Sequence, residues 1–365
     1  MMTFLKRIFL LVILIGLGLY DRLSAAEFLY LAAGNTIVVK AIDQSTGKLS
    51  EYQTLKLDGA GPFTFSPDKT FLYIVANATG SKKHISIATY KIADDAKLTL
   101  LKNEPIHMRP AYLHTDAKGK FITGNHYREG KMSVWKLTKG IYEGETVQEL
   151  TLEKMTHATI FTKDNKYILV PATGPNKVFQ IKFDENTGRV TSNDPAFASG
   201  PEKGAREPRH LIFNRTLNIA YTTQERINPG VATWIWDQEK GLLKLIQNIV
   251  TTKENVETIT TADLHITPDN KYLYISSRDK KNERDSIIGF KIDQKSGRLS
   301  LMKHFPSEHI PRSFCINKSG KYIYVAGQGD DRLGVYKIDP TNGHLEKITQ
   351  YKTSASPIWV TTLIK

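Results

Sequence analysis

Apolar and polar positions alternate along this chain in short bursts, and the bursts repeat. The clearest reads Thr-Pro-Asp-Asn-Lys-Tyr-Leu-Tyr-Ile-Ser-Ser-Arg at 267–278, echoed by Asn-Lys-Ser-Gly-Lys-Tyr-Ile-Tyr-Val-Ala-Gly-Gln at 317–328. A polar turn leads each time into a run of aromatic and β-branched residues, with a further alternating run before it; the pattern predicts strand, turn, strand. Weaker copies stand at 66–77, 115–125, 162–173 and 214–225, with a half-copy at 27–34 that lacks its first strand. The copies recur roughly every 43 to 53 residues, a period that marks stacked supersecondary units unable to bury an apolar face alone. A second phrase, resembling Asp-x-x-x-Gly-x-Leu, follows six of the copies at 43–49, 184–190, 237–243, 293–299, 339–345 and, without its glycine, 94–98. Such turns join outer strands by tight hairpins. The expected fold is all-β, a seven-bladed β-propeller of four-stranded blades.

The ends of the chain predict how the ring closes. Ser-Pro-Ile-Trp-Val-Thr-Thr-Leu-Ile at 356–364 matches the strand that opens other repeats, such as Ile-Pro-Arg-Ser-Phe-Cys-Ile-Asn at 310–317, yet no second strand follows it. The half-copy at 27–34 is missing that very strand. The C-terminal strand is therefore expected to complete the first blade, since a closed ring has no open sheet edge.

Length and composition add the address. A basic pair, Lys6-Arg7, precedes a twelve-residue apolar run at 8–19 and a small-residue stretch, Ser24-Ala25-Ala26. Residues 1–26 read as a secretory signal peptide and 27–365 as one propeller domain, periplasmic or secreted. The apolar run is short of the roughly 20 residues a spanning helix needs, so no stable membrane insertion is expected after cleavage. The one cysteine, Cys315, allows no internal disulfide and sits in an alternating strand, where it reads as a small buried residue. The net charge of +13 falls to +11 once Lys6, Arg7 and Arg22 are set against Asp21 in the leader. Its lysines are scattered through turns, in pairs such as Lys82-Lys83 and Lys280-Lys281, which argues against nucleic acid and for an anionic small molecule or an envelope surface as partner.

Aligning the copies on their shared tyrosine puts two positions in register at one end of the first hairpin. The opening column reads Gly61, Ala111, His157, Arg209, Ala262, Arg312 and Ile358; the closing column reads Gly34, Asn77, Asn125, Thr173, Glu225, Arg278 and Gln328. In an antiparallel pair these ends coincide, so both columns are expected at one mouth of the central channel. That mouth gathers three arginines, a histidine and a glutamate, with Asn77, His210, Arg312 and Gln328 as substrate-binding candidates. The same residues could instead serve as an inter-blade ion-pair set, Glu225 with Arg209 or Arg278. His210 and Asp263 occupy the next position along the inner strand and are expected to point between blades. His114, His265 and Cys315 lie two residues further in and are likewise expected to point between blades; the two histidines are read as structural through hydrogen bonds, with support of Arg209 or His157 from behind as the alternative. No His-x-His, Cys-x-x-Cys or His-Glu-x-x-His spacing signals a metal, and no Gly-x-Ser-x-Gly elbow signals a serine hydrolase.

Three segments, Glu-Pro-Arg-His-Leu-Ile-Phe at 207–213, the run 261–278, and Ile-Pro-Arg-Ser-Phe at 310–314 continuing to Val-Ala-Gly-Gln at 325–328, resemble the seven-bladed lactonases of the 6-phosphogluconolactonase type, relatives of the carboxymuconate cyclases. The resemblance spans nearly all of the chain after its leader. It implies catalytic roles for His157, Arg209, Glu225 and Arg278, and no metal or organic cofactor. The chain departs from the family in reading Pro171-Ala172-Thr173-Gly174 for Pro-Asp-Leu-Gly, and Gly124-Asn125-His126-Tyr127 around the family's Ala-Asn-Tyr. The implied reaction is hydrolysis of a carboxylated, phosphorylated or sugar-derived lactone. Water attacks, Glu225 or His157 takes its proton, and Arg209 and Arg278 hold the oxyanion or the substrate's anionic group. A non-catalytic propeller binding an anionic ligand or an envelope partner at the same mouth is the alternative, and lactonisation of a muconate a lesser one.

Overall fold

The computed structural model describes residues 26–78, 84–252, 257–281 and 284–365. The strands in them pair into seven four-stranded antiparallel sheets, each a meander in chain order except the one that holds both chain ends. Blade 1 comprises Glu27–Ala33, Thr36–Ile42 and Leu49–Lys56, with Pro357–Ile364 added to its inner edge. Blades 2 to 7 open on the inner strands Phe63–Phe65, Tyr112–Thr115, Ile160–Phe161, Pro208–Phe213, Ile259–Ile266 and Pro311–Ile316. Inner strands touch in turn through blades 2, 3 and 4 and through blades 5, 6, 7 and 1.

The C-terminal strand does close blade 1, with Leu31 opposite Val360 and Phe28 opposite Leu363. Of the leader expected at 1–26, residues 1–25 lie outside the described residues, as do Lys82 and Lys83. Among the described residues no helix is long and apolar enough to cross a membrane.

The two repeated phrases recognise each other across blade boundaries. The conserved-register tyrosine of one blade donates its hydroxyl proton to the carbonyl at the outer turn of the next. Tyr221 reaches Gly297 at 2.7 Å, Tyr274 reaches Gly343 at 2.7 Å, and Tyr324 reaches Gly47 at 3.1 Å across the closure. Tyr30 does the same to Ala96, at 2.8 Å, in the turn that lacks glycine. Glycine suits this turn twice over: Gly343 has φ of +72°, and a Cβ there would stand 2.6 Å from the ring of Tyr272.

Apolar side chains fill the seven seams between blades, one cluster to a seam. Val360 packs in the seam between blades 7 and 1, and Leu363 in that between 1 and 2. Each fully buried Leu, Val or Phe stabilises the ring by about 1.5–3 kcal/mol, so the tail anchors both seams it enters. Cys315 is 3% exposed in the first of these clusters, and burial pushes its thiol up, as befits a packing residue.

Candidate functional site

The hairpins that open blades 5, 6 and 7, and the closure in blade 1, share a departure from regular pairing. Register shifts between Pro208 and Leu211, between Thr261 and Leu264, between Pro311 and Ser313, and between Ala32 and Ala33 opposite Ile358. These β-bulges fall on the opening column, and a bulge re-aims the residues it contains. The backbone N–H groups freed from the ladder find hydroxyls instead. His210 N donates to Thr223 Oγ1 at 3.2 Å and Asp263 N to Ser276 Oγ at 3.0 Å.

The bulges turn the next position into the channel, which corrects the expectation that His210 and Asp263 point between blades. The His210 ring lies 5.1 Å from His157 of blade 4, 5.3 Å from Tyr112 of blade 3 and 6.2 Å from Trp359 of blade 1, centroid to centroid. Tyr112 and Trp359 meet edge to face at 5.2 Å. Together these rings form a layer across the channel. Above it is a cleft of about 530 Å³ lined by His157, Arg209, Arg312, Tyr127, Arg109, Met108, Ile358 and others; below it a second chamber of about 410 Å³ meets Asp263, His114 and His265.

Glu225 is the hub of the charged wall. Its Oε1 accepts from Arg278 Nη2 at 2.8 Å and stands 3.4 Å from Arg209 Nε. Arg278 Nη2 also donates to the carbonyl of Thr261 at 3.0 Å, and Arg209 Nη1 contacts His210 Nε2 at 3.0 Å. The ion pairs foreseen in the sequence therefore form, Glu225–Arg278 between blades 5 and 6 and Glu225–Arg209 within blade 5, but they leave a cation over. Among the described residues Arg312 has no ion-pair or hydrogen-bond partner. Three guanidinium groups face two carboxylates, Glu225 and Asp263.

Burial and that excess together set the protonation states. Burial alone would raise the Glu225 carboxyl, but Arg209 and Arg278 outweigh it and hold it below its ordinary value. Burial, then Arg209, depress His157 well below 6.5, so its imidazole is neutral; its Nδ1 is buried without a partner among the described residues. Burial, then the neighbouring Arg278, draw Arg209 down to about 9, still charged at neutral pH.

Of the other candidates, Asn77 accepts from Arg109 Nη2 at 2.8 Å, and Gln328 donates to Ser356 Oγ at 3.1 Å. Both are spent on protein contacts at the rim rather than on the cleft. Both ring nitrogens of His210 are likewise engaged, by Arg209 and by Asp263. His114 Nδ1 accepts from the Phe161 amide at 3.1 Å, and His265 Nε2 stands 3.4 Å from Asp263 Oδ2. Tyr127, edge-on to His157 at 5.6 Å, and Trp359 were not singled out from the sequence. The signal was available for Trp359: it shares a column with Tyr112, His210, Asp263 and Ser313, a set too polar and aromatic for a buried seam.

A family model described as "Lactonase, 7-bladed beta-propeller" matches residues 18–362. The chain belongs to this lactonase family. It is 30% identical over 317 residues to a 6-phosphogluconolactonase of Enterobacter sp., covering 86% of this chain and 92% of that one. A 6-phosphogluconolactonase of Yersinia enterocolitica is 28% identical over 324 residues, covering 87% and 92%. Two solved structures share the fold of this lactonase-family chain. A putative 6-phosphogluconolactonase from Bacteroides fragilis has a TM-score of 0.83 at 22% identity, covering 94% of this chain and 99% of its own. A periplasmic gluconolactonase of Pseudomonas aeruginosa has a TM-score of 0.82 at 23% identity, covering 93% and 99%.

Proposed function

We propose that the protein hydrolyses a lactone carrying an anionic group, a phosphorylated or carboxylated sugar lactone of the 6-phosphogluconolactone type, outside the cytoplasm. Family membership supports the reaction class. The observation that supports the anionic substrate is Arg312, a guanidinium with no partner among the described residues, at a mouth where positive charge exceeds negative. Arg312 is half-buried beside other guanidinium groups, and a bound carboxylate or phosphate would supply the counter-charge.

The division of labour follows from the protonation states. Glu225, tied to two arginines, is a poor base. His157 is neutral and lines the cleft, so it takes the proton of the attacking water, whose oxygen bonds to the lactone carbonyl carbon. A substrate anion beside Arg312 weakens the repulsion that depresses His157 and so strengthens the base as the substrate arrives. Arg209, which lines the cleft, faces the oxyanion that develops on the carbonyl oxygen, while Glu225 and Arg278, outside the lining, hold it in place. Collapse breaks the ring C–O bond, and the proton passes from the imidazolium to the departing ring oxygen, leaving a hydroxy acid. The basic pair, apolar run and small-residue stretch within 1–26 support the extracytoplasmic address.

Purified mature protein assayed against phosphorylated, carboxylated and neutral sugar lactones is expected to open the anionic members fastest, with His157→Ala and Glu225→Gln both impaired. A panel left intact, with an anionic lactone bound but released unchanged and binding lost in Arg209→Ala, would replace the hydrolase by a binding propeller.

A further inference from the structure

A buried carboxylate two steps from the cleft is surrounded by donors. Asp263 Oδ1 accepts from His210 Nδ1 at 2.9 Å and from the Leu264 amide at 3.0 Å; Oδ2 faces the Phe314 amide at 3.3 Å and His265 Nε2 at 3.4 Å. Two of these donors are backbone N–H groups and cannot reverse. A group at this point must accept on both oxygens, which an ionised carboxylate does and an amide cannot.

The consequence runs along the chain of contacts. With Asp263 as acceptor only, the proton of neutral His210 sits on Nδ1. Nε2 then carries a lone pair, and it meets Arg209 Nη1–H at 3.0 Å. The opposite tautomer would set N–H against N–H. Two residues, one from each of two neighbouring blades, thus fix one guanidinium from behind, while Glu225 fixes it from the side.

We propose that Asp263 and His210 are positioning residues for Arg209: Asp263 sets the His210 tautomer, and His210 Nε2 holds the guanidinium in line with the carbonyl oxygen of the substrate. His210 touches neither water nor substrate in this role, which differs from the binding role that its place beside Arg209 suggests in the sequence. The kinetic part rests on the proposed lactone hydrolysis; the tautomer does not.

The test has two arms on the full mature chain. In the first, nitrogen-resolved NMR of the His210 ring at neutral pH is expected to show the Nδ1–H tautomer in the wild type, and its loss in Asp263→Asn. An Nε2–H ring in the wild type overturns the proposal whether or not any lactone is hydrolysed. In the second, His210→Phe is expected to lower kcat by roughly 10–100-fold, the usual scale for residues that orient another, with KM for an anionic lactone little changed. His210→Gln, whose amide can accept from Arg209 and donate to Asp263 together, is expected to recover much of that loss. If both variants fold and are equally impaired, or if kcat per folded molecule is unchanged in His210→Phe, the residue is only a packing element and the proposal fails.

Discussion

Blades 4 to 7 and blades 1 to 3 offer the same backbone positions to the same cleft and fill them in opposite ways. Every ionisable residue of the two columns, His157, Arg209, Glu225, Arg278 and Arg312, lies in blades 4 to 7. Blades 1 to 3 hold Ile358, Gly34, Gly61, Asn77, Ala111 and Asn125 there, and carry Trp359 and Tyr112 one step further in. The scaffold repeats but the charges do not, so the blade fold by itself does not call for them. Within these two columns one side of the cleft is neutral or apolar and the other charged; beyond the columns, segments 107–109 and 128–129 add His107, Arg109, Arg128 and Glu129 to the lining.

Breaking the charged half should matter most. His157→Ala is expected to lower kcat by about 10²–10⁴-fold, the range of a lost general base, while the thermal midpoint moves little; stopped activity assays at matched folded concentration would check this. Loss of less than about threefold would assign the proton to another group.

The charged half should also make the protein acid-sensitive. Burial, then Arg209, draw His210 down to about 4, and His157 is likewise held well below 6.5, whereas the unfolded chain titrates these rings near their ordinary value. Between pH 6.5 and 4 the unfolded state therefore binds more protons, so stability falls as pH drops through that window and is unaffected by these rings above about pH 7. Thermal midpoints measured from pH 8 to 4 should be level and then decline; a level curve throughout would mean that these rings are free to protonate where they lie.

The apolar half should give smaller effects, and mainly on binding. Ile358→Ala is expected to raise KM about tenfold or less with kcat nearly unchanged, as for the loss of a few methylenes from a pocket. A larger fall in kcat than rise in KM would show that the two walls do not divide the work. Smallest of all should be Asn77→Ala and Gln328→Ala, whose side chains bond Arg109 and Ser356 at the rim. Both should keep kcat/KM within about twofold, the usual range for surface changes.

The repeats made the blade count and the ring closure legible because each copy carries its own turn and its own apolar strand. The shared tyrosine even supplied the register that brings Arg209, Glu225 and Arg278 together, since hairpin ends coincide whatever the loops do. What the alternation hid was the bulge. A strict period of two sends His210 to the opposite face from Arg209, whereas the extra residue at 208–211 lets both enter the channel. Asp263 was misplaced for the same reason, and with it the donors that converge on its carboxylate. Those donors include the Leu264 and Phe314 amides, and backbone groups leave no trace in residue identity.

The central claim is that the excess cation of the charged wall meets an anionic group on the substrate. It is tested most directly by comparing Arg312→Ala with the wild type on an anionic sugar lactone and on its neutral counterpart. The account predicts that kcat/KM falls by about 10–100-fold for the anionic lactone, the worth of one charge-assisted contact, and by less than about threefold for the neutral one. Equal losses on both substrates would contradict it.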